Sequence, residues 1–418
     1  MRKYFDSALK ILTKVFDDGS YSNRALSTDK TADMTTKLVY GVLERNVEIE
    51  HVLSTLVKKQ PKGKAYTLLK IGTYALMHLD NVPAFAVVSE CVEVAKSNEL
   101  HGQSGFVNAV LKRVSRKEYR LPKSTDKNYL SVKYSLPQWF IDQLFLEYDK
   151  YEVQALLESD LTTEESIRIN TNIDVNQVTD KLDKAKVKYT FGECGTILAS
   201  ADNRAVKDMF NSGWITFQAT SSIKAVKALN AKGGKVLDLC SAPGGKAVLI
   251  AELSPESEVT ACDLYKHRIE LIDKYAKRMG VDNIISVQND AVKLKKEWIG
   301  QFDYVLVDAP CSCFGTYKKH PDVFLNRDFS DSLKIAETQK KILENAIKYT
   351  KSGGTIVYST CTLFNVENID VVNSVLSNDV GLVNFDCDCL PNDKSTIRIL
   401  PTDGSDGFFI AKLQKKLI

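Results

Sequence analysis

The stretch Lys235-Val-Leu-Asp-Leu-Cys-Ser-Ala-Pro-Gly-Gly-Lys246 runs an apolar segment straight into a Pro-Gly-Gly corner, and Ala247-Val-Leu-Ile-Ala-Glu-Leu253 follows with helical character. Val236, Leu237 and Leu239 suit a buried parallel strand, so the pattern predicts strand, tight turn and helix. Gly244 and Gly245 permit a left-handed backbone and the close approach of a ligand to the helix N-terminus, whose free N–H groups favour anions. Such a corner recurs in α/β folds, and this one lacks the G-x-G-x-x-G spacing of a dinucleotide site. The downstream strands decide the reading. Val259–Asp263 ends in a carboxylate 25 residues after Asp238, near the offset at which an acid meets ribose hydroxyls. Ile284–Gln288 runs into Asn289 and Asp290, and Phe302–Val307 runs into Asp308. Carboxylates at successive strand ends face one crevice of a doubly wound sheet, which extends from about Gln218 onward. Gly353–Cys361 reads as a further strand and Gly407–Leu413 as a closing edge strand.

With 418 residues the chain has room for two or three domains, and 44% hydrophobic with 26% charged residues is a soluble, globular composition. No run of 18 apolar residues occurs, and Asp6 and Lys10 interrupt the apolar N-terminus, so neither a membrane span nor a signal peptide is expected. Nine cysteines in a chain of this length fit reduced thiols and a cytoplasmic setting. The net charge of +3 conceals an asymmetry: residues 1–133 hold 22 Lys and Arg against 14 Asp and Glu. A polyanion would meet that basic front half, although a solvated surface has the same composition.

Apolar residues at helical spacing predict helices over Ser7–Phe16, Lys37–Glu44, Ile49–Lys58, Tyr66–Leu79, Val87–Lys96 and Phe106–Arg116. Lys112, Arg113, Arg116, Lys117 and Arg120 then fall along one face and could grip phosphates. Pro122–Lys133 is polar and suits a linker. Leu136–Phe145 and Glu152–Glu158 read as helices, Ser166–Asn170 as a strand, Val178–Lys184 as a helix, and Val187–Thr190 and Trp214–Gln218 as strands. The division expected is a helical domain over 1–122, a small α/β connector over 123–217 and a doubly wound domain over 218–418.

Two cysteines fall at strand ends on the cofactor side of the sheet, Cys311 in Asp308-Ala-Pro-Cys-Ser312 and Cys361 in Ser359-Thr-Cys-Thr362. C5 of a pyrimidine is a poor nucleophile, and adding a thiolate at C6 turns it into an enamine that attacks an electrophilic methyl. A second thiol, or a water, can then remove the C5 proton so that the enzyme sulfur leaves, and Asp308 is placed to hydrogen-bond N3. Cys311-x-Cys313 and Cys387-x-Cys389 together offer four sulfurs. One-residue spacing is unlike the usual zinc pattern, however, and no histidine adjoins either pair, so no metal is expected. Lys246 and Lys318 or Lys319 are expected to lower a thiol pKa.

Thr67–Leu76, Val82-Pro83, Val87–Glu93 and Gly105-Phe-Val-Asn-Ala-Val-Leu-Lys-Arg113 resemble the helical RNA-binding domain of the NusB family. Cys240–Lys246, Asp308–Thr316 with His320-Pro-Asp322, and Tyr358–Thr362 with Glu367-Asn368 resemble the motifs of RNA cytosine-C5 methyltransferases of the RsmB/NOP family. The resemblance implies a Rossmann-like α/β methyltransferase domain behind an all-α NusB-like domain, with S-adenosyl-L-methionine as cofactor. It further implies 16S rRNA or a small-subunit assembly intermediate as partner, a monomer and no membrane. In that family Cys240, Ser241, Ala242, Pro243, Gly244, Gly245 and Lys246 would hold the methionine end of the cofactor, Asp263 its ribose and Asp290 its adenine amino group. Asp308 would border donor and target base, Cys361 would be the nucleophile and Cys311 the release residue. Lys112, Arg113, Arg116, Lys318, Lys319 and His320 are the RNA-contact candidates. A thiol in a Thr-Cys context beside the Pro-Cys one favours RNA over DNA. Cys313-Phe314, Tyr317-Lys-Lys319 and Phe324 depart from the family pattern in what reads as the target-binding loop. The same chemistry on tRNA, or a non-catalytic RNA-binding factor, remains as an alternative.

Overall fold

The structure is a computed structural model that describes residues 1–27, 33–59, 61–98, 100–159, 165–402 and 405–417. It forms two compact units, Met1–Leu157 with Tyr317–Phe329, and Glu158–Thr316 with Ser330–Ile418. The expected connector is thereby divided. Residues up to Leu157 pack with the helical front because Phe140, Ile141 and Leu144 need an apolar partner there, and the strands that follow join the sheet-bearing unit.

The first unit is helical. The helix Arg2–Asp18 buries Phe5, Ala8, Leu9, Leu12 and Val15, the spacing of one helical face. Helices Asp33–Glu44, Asn46–Leu56, Lys64–His78, Ala84–Ser97 and Ser104–Ser115 surround the same core. The sequence predicted each to within a few residues at its ends. At Gly41 a Cβ would lie 2.0 Å from the Tyr74 ring, so only glycine lets those helices meet as they do. Lys70 is buried, its ammonium held by Asn46 Oδ1 at 2.9 Å and Glu50 Oε1 at 2.7 Å and lying 4.0 Å from the centre of the Phe16 ring. The Ser135 hydroxyl accepts from the N–H groups of Val47 and Glu48 and caps the helix Asn46–Leu56.

Tyr317–Phe329 belongs to this unit as an excursion from the other. Phe324 packs edge-on against Trp139 and Phe140, the Tyr317 hydroxyl donates to Leu156 O at 3.1 Å, and Asp322 accepts from Ser22 N at 2.9 Å. Two of the departures from the family pattern, Tyr317 and Phe324, thus take part in the aromatic packing of this unit.

The second unit carries two sheets. The smaller, antiparallel sheet comprises β1 (Glu165–Ile169), β2 (Tyr189–Phe191), β3 (Thr196–Ala199) and β4 (Ile215–Phe217) in the order β2-β3-β1-β4. Neither β3 nor the helix Arg204–Asn211 was foreseen. The larger sheet contains β5 (Gly234–Asp238), β6 (Ser257–Asp263), β7 (Ile284–Gln288), β8 (Phe302–Asp308), β9 (Thr350–Thr360), β10 (Val380–Leu382), β11 (Thr396–Ile399) and β12 (Phe408–Lys415). Its order is β10-β12-β9-β8-β5-β6-β7, with β11 also pairing β12; β9, β8, β5, β6 and β7 are mutually parallel. The chain winds outward from β5 in one direction through β6 and β7 and in the other through β8 and β9. The reversal lies between β5 and β8, where an α/β sheet opens its ligand crevice. β12 is not an edge strand as expected: β9 pairs on one side and β10 with β11 on the other. Its unbroken apolar run, Phe408-Phe-Ile-Ala, is what a doubly covered interior strand requires.

Arg168 of β1 and Glu252 of the helix Gly245–Leu253 form a buried ion pair, and Arg168 Nε donates to Gln218 Oε1 at 2.7 Å. Glu252→Ala would leave that guanidinium buried without its anion, a loss of roughly 3–5 kcal/mol. Denaturant unfolding read by tryptophan fluorescence should show a clearly lowered midpoint, and equal midpoints would disprove the structural weight given to the pair.

Candidate active site

At the end of β5 the backbone turns sharply. Ser241 N–H donates to Cys262 O at 2.7 Å and Ala242 N–H to the Asp263 carboxylate at 3.3 Å, which ties the corner to the end of β6. Gly244 takes φ +109° at the helix start, the left-handed conformation expected there. A Cβ on Gly244 would lie 3.2 Å from Ile272 Cα, so this glycine also makes room for the following helix, Lys266–Met279. Asp263 is 3% exposed and also meets Arg268 at 3.2 Å, so Arg268 positions the carboxylate. Asp290, after β7, accepts from Val292 N–H and pairs with Lys293 at 3.3 Å. Beside it the amide nitrogen of Asn289 is buried with no hydrogen-bond partner.

Between β5 and β8 lies a charged cluster that the sequence reading only half resolved. The Lys246 ammonium sits 2.8 Å from Asp308 Oδ2, and Asp308 Oδ1 accepts from the Ser359 hydroxyl at 2.8 Å. Burial works against the Lys246 charge, but Asp308 outweighs it and holds the ammonium pKa above its ordinary value. Asp238, used in the sequence only as a landmark, is fully buried on β5; burial first, and the charge of Asp308 next, push its pKa up to about 7. An acid directly after the apolar pair Val236-Leu237, at the end of a buried strand, was the available signal.

The two predicted cysteines meet. Cys311 Sγ lies 3.2 Å from Cys361 Sγ, and Cys313 joins them with its sulfur 3.9 Å from Cys311 Sγ. Crowding by Cys313 and Cys361, together with burial, raises the Cys311 pKa well above the ordinary thiol value. A hydrogen bond from Cys311 works to lower that of Cys361, but Cys313, burial and Asp308 prevail and raise it as well. The expected lowering of a thiol pKa by neighbouring lysines is therefore reversed in direction.

A buried carboxylate joins the two cysteine loops. Ser312 N–H donates to Glu367 at 2.8 Å, Gln339 donates to both Glu367 and Pro310 O, and the Ser312 and Thr362 hydroxyls are 2.7 Å apart. Asn368 bonds Thr362 O and meets the Thr360 hydroxyl. Glu367 is wholly buried, which raises its pKa. Gly315 donates to Cys361 O and accepts from Gly407 N–H, and a Cβ there would come within 2.3 Å of Gly407 O.

The six RNA-contact candidates lie in the first unit, whereas the cysteines and strand-end carboxylates lie in the second. The basic stripe is shorter than expected. The helix ends at Ser115, and Lys117 takes φ +55°, which removes Lys117 and Arg120 from the helical face. Arg113 donates to Leu56 O and Glu118, and Arg116 also approaches Glu118, so part of the positive charge is spent on capping and pairing. Lys112 is exposed, as are Lys319 and His320 on the excursion, while Lys318 is half-buried.

An acid whose pKa is raised on folding stabilises the fold below its unfolded value, and that stability is lost as pH rises through the folded value. For Asp238 the window runs from about pH 4 to about pH 7. Asp238→Asn removes this dependence, so its stability relative to wild type should improve by an amount on the order of 4 kcal/mol between pH 4 and pH 8. Melting curves across that range test it, and a pH-independent difference would refute a buried, proton-retaining carboxyl.

Residues 226–414 match the family described as 16S rRNA methyltransferase RsmB/F, and residues 6–116 match the NusB family. The chain is 30% identical over 442 residues to the probable ribosomal RNA small subunit methyltransferase B of Bacillus subtilis (strain 168), with 98% of each chain covered. The crystal structure of PH0851 shares the fold, with a TM-score of 0.84 at 24% identity over 99% of both chains. A methyltransferase homolog protein from Pyrococcus horikoshii superposes with a TM-score of 0.60 at 26% identity, over 70% of this chain and 100% of that one. With near-complete coverage by a relative at this identity, the chain belongs to the RsmB/F family of 16S rRNA methyltransferases and carries a NusB-family domain at its front.

Proposed function

We propose that this enzyme methylates C5 of a cytosine in small-subunit rRNA, using S-adenosyl-L-methionine and a covalent adduct between Cys361 and C6 of the base. The observation that carries the reading is the 3.2 Å separation of Cys311 and Cys361 beside the Lys246–Asp308 pair. The crevice suits the cofactor. The amide nitrogen of Asn289 is a buried donor in want of an acceptor, next to the carboxylates of Asp263 and Asp290 at the same edge of the sheet. Cys240–Lys246 would hold the methionine end, Asp263 the ribose and Asp290 the adenine amino group. When bound, the cofactor supplies an electrophilic methyl group.

The chain's own residues do the rest. Cys361 gives up its proton to solvent and adds to C6, and the Lys246 ammonium, held in place by Asp308, offsets the negative charge that the addition pushes toward N3. Cys311, with its sulfur in contact, or a water then takes the C5 proton, the C5–C6 double bond re-forms, and the S–C6 bond breaks to release Cys361 as thiolate. Because both thiols are held protonated by their surroundings, the rate should rise with pH through the alkaline range. Lys112, Arg113 and Arg116 on the front domain (residues 1–122), and Lys318, Lys319 and His320, are the proposed contacts to RNA phosphates, in a monomeric, cytoplasmic enzyme. The target cytosine must leave its stack to reach the thiols, which favours a single-stranded or loop nucleotide.

Trapping tests the roles. Cys311→Ala mixed with cofactor and small-subunit rRNA should accumulate a covalent RNA–protein adduct on a denaturing gel, and Cys361→Ala should form none. The opposite pattern would move the attack to Cys311, and absence of methylation by wild type on any RNA would leave an RNA-binding factor. Gly315→Ala, whose new methyl collides with Gly407 O and Cys361 O, should lower methyl transfer by about 100-fold by displacing the nucleophile. Activity within a few-fold of wild type in a folded variant would show that the contact does not set the thiol's position.

A further inference from the structure

We propose that Cys311, Cys313 and Cys361 form a three-thiolate site for a thiophilic divalent cation of the zinc class, occupied in competition with the cytosine substrate. The three sulfurs lie within 4.8 Å of one another, two of the pairs at 3.2 and 3.9 Å. A tetrahedral zinc with Zn–S bonds near 2.3 Å spaces its sulfurs by about 3.8 Å, so the cluster closes on an ion through side-chain adjustment alone. The sequence offered Cys313 only together with Cys311, Cys387 and Cys389, a set whose spacing argued against a metal. Folding instead brings it to Cys361, 48 positions downstream.

Three features build the site. Cys313 adopts φ +64°, a left-handed conformation uncommon for a non-glycine residue, and its carbonyl accepts from both the N–H and the hydroxyl of Thr316. The loops that carry the sulfurs are fixed to one another by Glu367, Gln339, Ser312 and Thr362, so the ligands are held together before any ion arrives. The Lys246 ammonium lies near Cys361 and offsets the negative charge that three thiolates leave around a divalent ion. Binding breaks three S–H bonds, releases three protons to solvent and forms three metal–sulfur bonds, with no change of oxidation state. A fourth position stays open to water, as in zinc sites with three protein ligands. A metal held there occupies the sulfur that must attack C6; this inhibitory consequence rests on the function proposed above, whereas the binding itself does not.

The test uses the reduced full-length chain and cadmium as probe, because thiolate-to-cadmium charge transfer absorbs in the near ultraviolet. Wild type should bind one ion with the release of three protons, and zinc should displace it. Cys313→Ala and Cys313→Ser should each bind at least about tenfold more weakly with fewer protons released. Cys387→Ala/Cys389→Ala should match wild type. Equal affinity and proton yield in folded Cys313 variants, or loss of binding in the Cys387/Cys389 variant alone, would overturn the site. Zinc should also inhibit methyl transfer reversibly, with relief by a chelator and a weaker effect, relative to its own activity, in Cys313→Ala. A chain that binds cadmium as described yet methylates no RNA would sink the proposed function and leave this site standing.

Discussion

Glu367 is a carboxylate that burial would rather keep neutral, surrounded by donors that hold it where it is. It receives Ser312 N–H from the loop after β8 and Gln339 from the long helix Phe329–Tyr349, and Tyr358 of β9 donates to its backbone carbonyl at 2.6 Å. The loops after β8 and β9 would otherwise be independent connections at the rim of a sheet, free to drift by more than the width of a sulfur atom. Joined through one buried acid, they present Cys311 and Cys361 in contact. The cost of burying such a group is offset only while every donor is in place, so the network behaves as a unit.

Electrostatics around the strand ends follow the same economy. Asp308 is shared by Lys246 and Ser359, and its charge adds to the effect of burial in raising the pKa of the more deeply buried Asp238. The parallel register explains the sharing: Asp308 lies opposite Ser359 on β9, and Asp238 lies opposite Leu306, two positions before Asp308 on β8, so neighbouring strands bring their polar groups close together at the crevice. The thiols stand beside this cluster with pKa values raised by burial and by one another, which favours their protonated form.

Much of this was readable before folding because it depends on local pattern. Val236 to Leu239 followed by Pro-Gly-Gly is strand and corner whatever surrounds it, and the helical front shows its apolar stripes at fixed spacing. What escaped was non-local. Nothing in Phe408–Lys415 says that two further strands will pair beyond it, and nothing in Arg113 says that it will cap another helix at Leu56. The contact of Gly244 with the Cα of Ile272 was not legible because that residue comes from a later helix. Cys313 sat beside Cys311 in the sequence, but its relation to Cys361 exists only once β8 and β9 lie side by side. Tyr317 and Phe324 looked like loop residues because the excursion that buries them in another unit leaves no periodic trace.

The interior position of β12 carries a consequence for how the protein is made. Every other strand of the sheet leaves the ribosome before it, yet β9, β10 and β11 all depend on it for hydrogen bonds, and Gly407 just ahead of it holds Gly315 against the carbonyl of Cys361. A nascent chain with Cys311 and Cys361 already translated therefore still has an open edge at β9 and lacks the Gly407 contact that backs the loop of Cys361. The loops that carry Cys311 and Cys361 therefore gain their full support only once β12 has paired with β9, so this half of the sheet is completed by the strand made after all its neighbours.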